Sequence, residues 1–190
     1  QGNRTSDNNI YKEFERPKSD LYSITGEIKL VQAAIDDMHK KGLKTHEGIF
    51  LIFKSLLWSV ATDLYGDIYY TEGLHGRDGI LFPKFDEQKN IYPALIQDLK
   101  DAVALISAGT DPIDKTYDIL YAADKTKWVK FANSLRLRLL MRASKNLPNA
   151  ASEIAAVAAL PLMSDVADNA AIPYLTGDRT YSWPMGSSYM

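Results

Sequence analysis

Cysteine is absent from the 190 residues, which excludes disulfides, thiolate zinc sites and a cysteine nucleophile. A surplus of charge is lacking too: 22 Lys and Arg stand against 24 Asp and Glu, a formal net charge of -2. That balance cannot hold a phosphate backbone, so nucleic acid is not an expected partner. No continuous apolar run approaches the roughly 18 residues of a spanning helix, and no segment is assigned to a membrane on that ground. Histidine is scarce. His39 and His46 fall on either side of a helix break and His75 lies in a loop, so the spacing of helical metal sites is missing. No Gly-rich loop runs into Lys-Ser/Thr, and there is no Gly-x-Ser-x-Gly elbow. No metal, cofactor or catalytic centre is therefore expected. Asp63, Asp67, Glu72 and Asp78 stand on a cap, a turn and a loop, where acids are common without chemistry. Paired carboxylates for glycoside hydrolysis stay open as an alternative, because their separation is spatial.

What is present is globular. Hydrophobic residues make up 46% and charged residues 24%, which excludes wholesale disorder and gives enough chain for a real core. The chain begins on Gln1 with no signal-type segment, and is read as a processed product or a piece of something longer.

After a polar lead-in over residues 1–20, apolar residues recur at Leu21, Ile24, Ile28, Val31, Ile35 and Met38, one face of a helix. Lys40, Lys41 and Gly42 suit its end. Thr45 is expected to cap a second helix over residues 46–65, apolar nearly all round and so packed between neighbours. Gly66, Gly73, Gly76, Gly79 and Pro83 mark a loop, with a short extended piece at residues 67–70. Asp86 is expected to cap a third helix, in which Pro93 should bend the axis or mark a later start. A fourth helix begins near Asp124, and a fifth, alanine-rich one spans residues 149–160. The rest is loop with short strands. The fold class is mainly all-α: helix pairs in an α-α superhelix with irregular loops and few short strands, a single domain over 1–190. No literal repeat recurs at a fixed period.

Wheel geometry puts Arg142 on the side of Trp128, Leu135 and Leu139, and Asp63 on the side of Ile52 and Leu56. Both are expected to be buried and in need of partners. Asp63 or Asp67 is expected to pair with Arg136, Arg138 or Arg142 as a structural ion pair. Among 11 tyrosines, several lie in loops, where rings can stack on the C–H faces of sugars. Tyr69 and Tyr70, with Tyr181 and Trp183, are the candidate ligand residues.

Four stretches in order resemble the SusD/RagB family of outer-membrane nutrient-binding lipoproteins, in its starch-binding-associated subgroup. DLYGDIYYTEGL is similar to the family's Asp-x-x-Gly-Asp-x-Pro-Tyr passage, and FDEQKNIYPALIQDLKDAVALI to its acidic-x-Gln-x-x-Ile-Tyr helix. DILYAADKTKWVKFANSLRLRLLMRAS resembles its Lys-Trp-x-Lys-Phe-Ala-Asn-Ser-Leu-x-x-Arg helix, and LPLMSDVADNAAIPY the segment behind it. Tyr69 stands where the family often has Pro, and Ala123 where it usually has Gly. The resemblance carries over the motif residues Asp63, Gly66, Trp128, Asn133 and Arg136, and no ligand residues.

It implies tetratricopeptide-like helix pairs, as part of a longer lipoprotein whose lipid anchor this chain lacks. It also implies a protein that presents oligosaccharide or peptide to a SusC-like TonB-dependent transporter at the outer membrane, without catalysis. The alternatives are a helical scaffold for a protein partner and a glycoside hydrolase fragment.

Overall fold

The computed structural model describes residues 21–172. Among these residues five α-helices follow one another: α1 (Leu21–Lys41), α2 (Lys44–Tyr65), α3 (Gln88–Ala108), α4 (Lys125–Ala143) and α5 (Ala150–Ala158). Each packs chiefly on its neighbours in sequence, α1 on α2, α2 on α3, α3 on α4 and α4 on α5. Nearest-neighbour packing of this kind is how a helical array is built. The expected short strands reduce, among the described residues, to one antiparallel bridge between Ile68 and Asp86.

The α1 stripe buries Ile28 and Ile35 and ends at Gly42, whose φ is +69°. There the Leu43 N–H reaches the Met38 carbonyl at 2.9 Å, the closing bond of a Schellman motif. This two-residue link folds α2 back on α1. By length and composition α2 is apolar enough to cross a membrane, which corrects the reading of its sequence. Its place between α1 and α3 makes it the core helix instead. Trp58, Ile52 and Ala61 are buried on it, and the buried hydroxyls of Ser55, Ser59 and Thr62 donate to nearby carbonyls, as when Ser55 donates to that of Leu51.

Two expected caps are corrected. Thr45 does not cap α2; it lies buried in the first turn, and the N-cap position is Leu43. The free amides of Thr45 and His46 are taken by the Asp111 carboxylate at 2.9 and 3.2 Å. Asp86 does not cap α3 either, because its carboxylate holds the amide and hydroxyl of Thr71. Asp67 accepts the Gln88 N–H at 2.8 Å in its place. Both helices are thus capped from a distance in sequence by a carboxylate at the positive end of the helix dipole. Pro93 lies inside α3, which continues through it with one backbone rung missing.

Asp124 caps α4 as its sequence suggests, accepting the Thr126 and Lys127 amides. Just before it Ala122 and Ala123 have φ of 49° and 72°. A side chain in this left-handed region costs about 1–2 kcal/mol, while glycine's extra freedom in the unfolded chain costs about 0.4–1 kcal/mol. Ala123→Gly is therefore expected to stabilise the protein by roughly 0.5–1 kcal/mol in urea unfolding. A destabilised variant would contradict this account of the turn.

Candidate functional site

The charges singled out in the sequence are distributed along the array. Asp63 accepts the Tyr92 hydroxyl on one oxygen and the Arg142 guanidinium on the other, joining α2, α3 and α4. Burial, and then the Asp63 carboxylate, push the Tyr92 phenol up to about 12. Neither Asp63 nor Arg142 is buried as expected: Asp63 is exposed near the end of α2, and the Arg142 side chain, in the last turn of α4, is 48% exposed. The buried arginine is Arg136, which donates to Glu153 of α5 at 2.9 Å. Asp67 meets no arginine among the described residues and caps α3, while Arg138 lies exposed.

Residues 118–136, which carry much of the family resemblance, form a fastening system. The Asp118 carboxylate accepts the amides of Leu120, Tyr121 and Ala123 and the Trp128 indole N–H, the last at 2.9 Å. Trp128 stands edge-on to Tyr121 and to Phe53 of α2. Tyr121 donates to the Asp168 carbonyl, and Lys130 holds the Asp168 carboxylate at 3.0 Å. Asn133 donates to the Pro161 carbonyl, and Ser134 accepts the Met163 amide. The segment after α5 is thereby strapped across α4. These groups are committed to the scaffold.

Desolvation pulls Asp111 and Asp118 upward, but the donors around them outweigh it and hold both carboxyls below the ordinary value. The folded state then binds fewer protons than the unfolded chain, whose carboxyls titrate near about 4. The stability they contribute is complete above that value and lost as pH falls through the folded pKa values. Asp98, raised chiefly by burial despite Lys54 at 3.2 Å, offsets part of this loss by taking up a proton when folded. The urea midpoint should be flat from about pH 8 to 5 and fall steeply below about pH 4. In Asp111→Asn the fall should be shallower; an unchanged slope would refute the assignment.

Between α2 and α3 the loop over residues 66–87 presents aromatic side chains. Tyr69 and Phe85 stand edge to face with centroids 5.7 Å apart, and Phe82 beside Phe85 in sequence is 91% exposed. Leu81 and Phe85 are exposed as well. The loop is pinned by the Ile68–Asp86 bridge, by Thr71 on Asp86 and by the Lys84 amide on Glu72 at 2.9 Å. Tyr70 is turned inward, edge-on to Trp58; burial first, and Asp98 next, push its phenol well up. Tyr181 and Trp183 lie outside the described residues. Phe82 and Phe85 were missed in the sequence; the signal was Phe-Pro-Lys-Phe in a loop, where no helix face claims either ring. Among the described residues no cluster of three or more His, Asp or Glu converges on a metal position.

A concavity of about 370 Å³ lies between α2 and the loop before α4. Phe50, Phe53, Ile113, Tyr117 and Ile119 line it, with Ile172 at its edge.

Comparison with known proteins places this arrangement. The SusD-like family described as starch-binding and associating with the outer membrane matches residues 3–187. The chain belongs to the SusD/RagB family. A SusD homologue from Bacteroides fragilis is 28% identical over 78% of this chain and 33% of its own, with a TM-score of 0.71. A SusD homologue from Parabacteroides distasonis is 26% identical over 85% and 32%, with a TM-score of 0.73. A chitin-binding protein is 28% identical over 77% and 31%, with a TM-score of 0.68. No curated protein matches. This SusD-like chain therefore spans about a third of the length of the solved structures it matches. Its helical array, built on tetratricopeptide-like pairs, is that of the family.

Proposed function

We propose that this chain is the helical part of a longer, non-catalytic nutrient-binding lipoprotein at the outer surface of the outer membrane. It binds an oligosaccharide and hands it to a SusC-like TonB-dependent transporter. Membership of a family described as starch-binding supports the ligand class, and a chitin-binding protein among the similar structures agrees with it. The observation that carries the reading to residues is the pinned aromatic loop, where Phe82, Phe85 and Tyr69 present rings on a fixed backbone. Sugar C–H faces stack on such rings, and Arg77 and Lys84 on the same loop supply donors for hydroxyls.

The four acids weighed for hydrolysis each hold a contact within the scaffold. Asp63 is held by Arg142 and Tyr92, Asp67 by the α3 terminus, Glu72 by Lys84 and Asp78 by His75.

The double variant Phe82→Ala with Phe85→Ala should weaken binding of malto- or chito-oligosaccharides at least about tenfold, which is 1.4 kcal/mol. Calorimetric titration reads the affinity, and an unchanged melting temperature shows that the scaffold is intact. Undiminished binding would move the ligand site off this loop. Release of reducing ends from polysaccharide would overturn the non-catalytic reading.

A further inference from the structure

We propose that the cleft between α3, α4 and the start of α5 binds an acidic oligosaccharide, with the carboxylate of a hexuronate residue held by Arg136 and Lys100. The cleft is a concavity of about 200 Å³. Gln97 and Lys100 of α3, Arg136 of α4 and Glu153 of α5 supply its polar groups, and Ile96 and Leu147 give it apolar walls.

The guanidinium of Arg136 is the observation that points to a ligand. The residue is 8% exposed and donates one hydrogen bond, from Nη2 to the Glu153 carboxylate at 2.9 Å. Its Nε is buried and has no partner among the described residues. Nε and Nη2 share one edge of the guanidinium, and a carboxylate facing that edge takes two parallel bonds. Glu153 takes one of them, from a side chain that is 50% exposed. A buried donor left unpaired is costly, so the edge favours a carboxylate that fills it. Glu153 is then a stand-in, which a ligand carboxylate displaces into the water it already touches. Lys100, exposed and in no ion pair among the described residues, adds a second positive charge to the cleft. Two cations against one displaceable carboxylate select an anion.

The surroundings select a sugar acid. Ile96 and Leu147 suit the C–H face of a pyranose, and Gln97 gives its N–H to Asp101 while its carbonyl oxygen can accept from a hydroxyl. An adjoining concavity of about 210 Å³ shares Leu147 and presents Lys89, Arg142 and Asn146. Lys89 meets Glu87 there, and Arg142 meets Asp63 through Nη1 from a half-exposed side chain. Arg136 and Arg142 are six residues apart on α4, about 9 Å along its axis. Cations at an interval along one cleft suit a chain that repeats its carboxylates, whereas the C-terminus of a peptide offers only one. The saccharide class rests on the function proposed above; the acidic character rests on this cleft alone.

Galacturonate, its neutral amide and trigalacturonate are the probes, titrated into the chain and followed by nuclear magnetic resonance. Galacturonate should bind about tenfold tighter than the amide. Lys100→Ala should weaken galacturonate about threefold, and Glu153→Gln, which removes the competing charge and keeps an acceptor for Arg136, should strengthen it about threefold. Opposite signs of this kind cannot come from a damaged scaffold. Trigalacturonate should exceed galacturonate by at least about threefold, and Lys89→Ala should remove that gain. Equal affinity for acid and amide would overturn the proposal, as would a Glu153→Gln variant that binds galacturonate no better. Equal affinity for monomer and trimer would overturn the oligosaccharide, and acetate binding as tightly as galacturonate would overturn the sugar. The contrast of acid with amide does not involve neutral oligosaccharides at the loop over residues 66–87, so the two sites fail separately.

Discussion

Asp118→Ala is expected to lower the unfolding free energy by about 3 kcal/mol, among the largest effects of any single polar substitution in the chain. The carboxylate gathers four donors within 3.2 Å, the amides of Leu120, Tyr121 and Ala123 and the indole N–H of Trp128. Not all four losses count equally. The Leu120 and Tyr121 amides lie in a turn with exposed neighbours, where water can replace the acceptor. Trp128 is buried, so its N–H is stranded at about 1–3 kcal/mol, and the Ala123 amide adds to that. Ala123 also sits at φ 72°, a conformation that its bond to Asp118 helps to hold. Asp118→Asn keeps one good acceptor and should lose about half as much. Urea unfolding of the three proteins checks the order. A loss below about 1 kcal/mol for the alanine variant would mean that the turn is held by packing alone.

The contrast between Asp124 and Asp118 marks what was legible in the sequence. Asp124 caps the helix that begins on the next residue, so local pattern finds it. The roles of Asp111 on α2 and Asp67 on α3 span 66 and 21 residues, and no local pattern encodes them. Thr45 and Asp86 were expected as caps because they stand where caps stand; their carboxylate or hydroxyl goes elsewhere in the folded chain. Arg142 shows a second kind of limit. A helical wheel fixes azimuth and says nothing of which positions the neighbouring elements cover, so it did not show that Arg142, in the last turn of α4, is left half exposed. One turn and a half earlier, Arg136 is the residue the core reaches.

The five helices were legible because each carries an apolar stripe bounded by Gly, Pro or a cap. The loop side chains were not. Tyr69 and Tyr70 are neighbours of one chemical type, yet one reaches Phe85 on the surface and the other Trp58 in the core. In an irregular segment no period relates position to direction. The groove beside Ile119 was equally hidden, since its walls come from residues 46–53 and 113–128 together.

The same physics gives one substitution opposite signs at two helical glycines. Gly26→Ala in α1 should stabilise the protein by about 1 kcal/mol, the ordinary helix-propensity difference, because an added Cβ there meets nothing within 4 Å. Gly48→Ala in α2 gains the same propensity and should still lose about 2 kcal/mol net. Its Cβ would stand 2.8 Å from the Ala102 carbonyl oxygen and 3.2 Å from the Ile106 amide nitrogen, both backbone atoms of α3. A side chain could rotate aside; a helix backbone moves only as a body, and with it the most extensive helix contact in the array. Gly48 thus sets the closeness of α2 and α3, and through it the spacing of the Asp63–Tyr92–Arg142 junction and of the loop that presents Phe82. Thermal and urea unfolding of the two variants decide the matter. If Gly48→Ala proved as stabilising as Gly26→Ala, the close approach of these helices would not exist in solution.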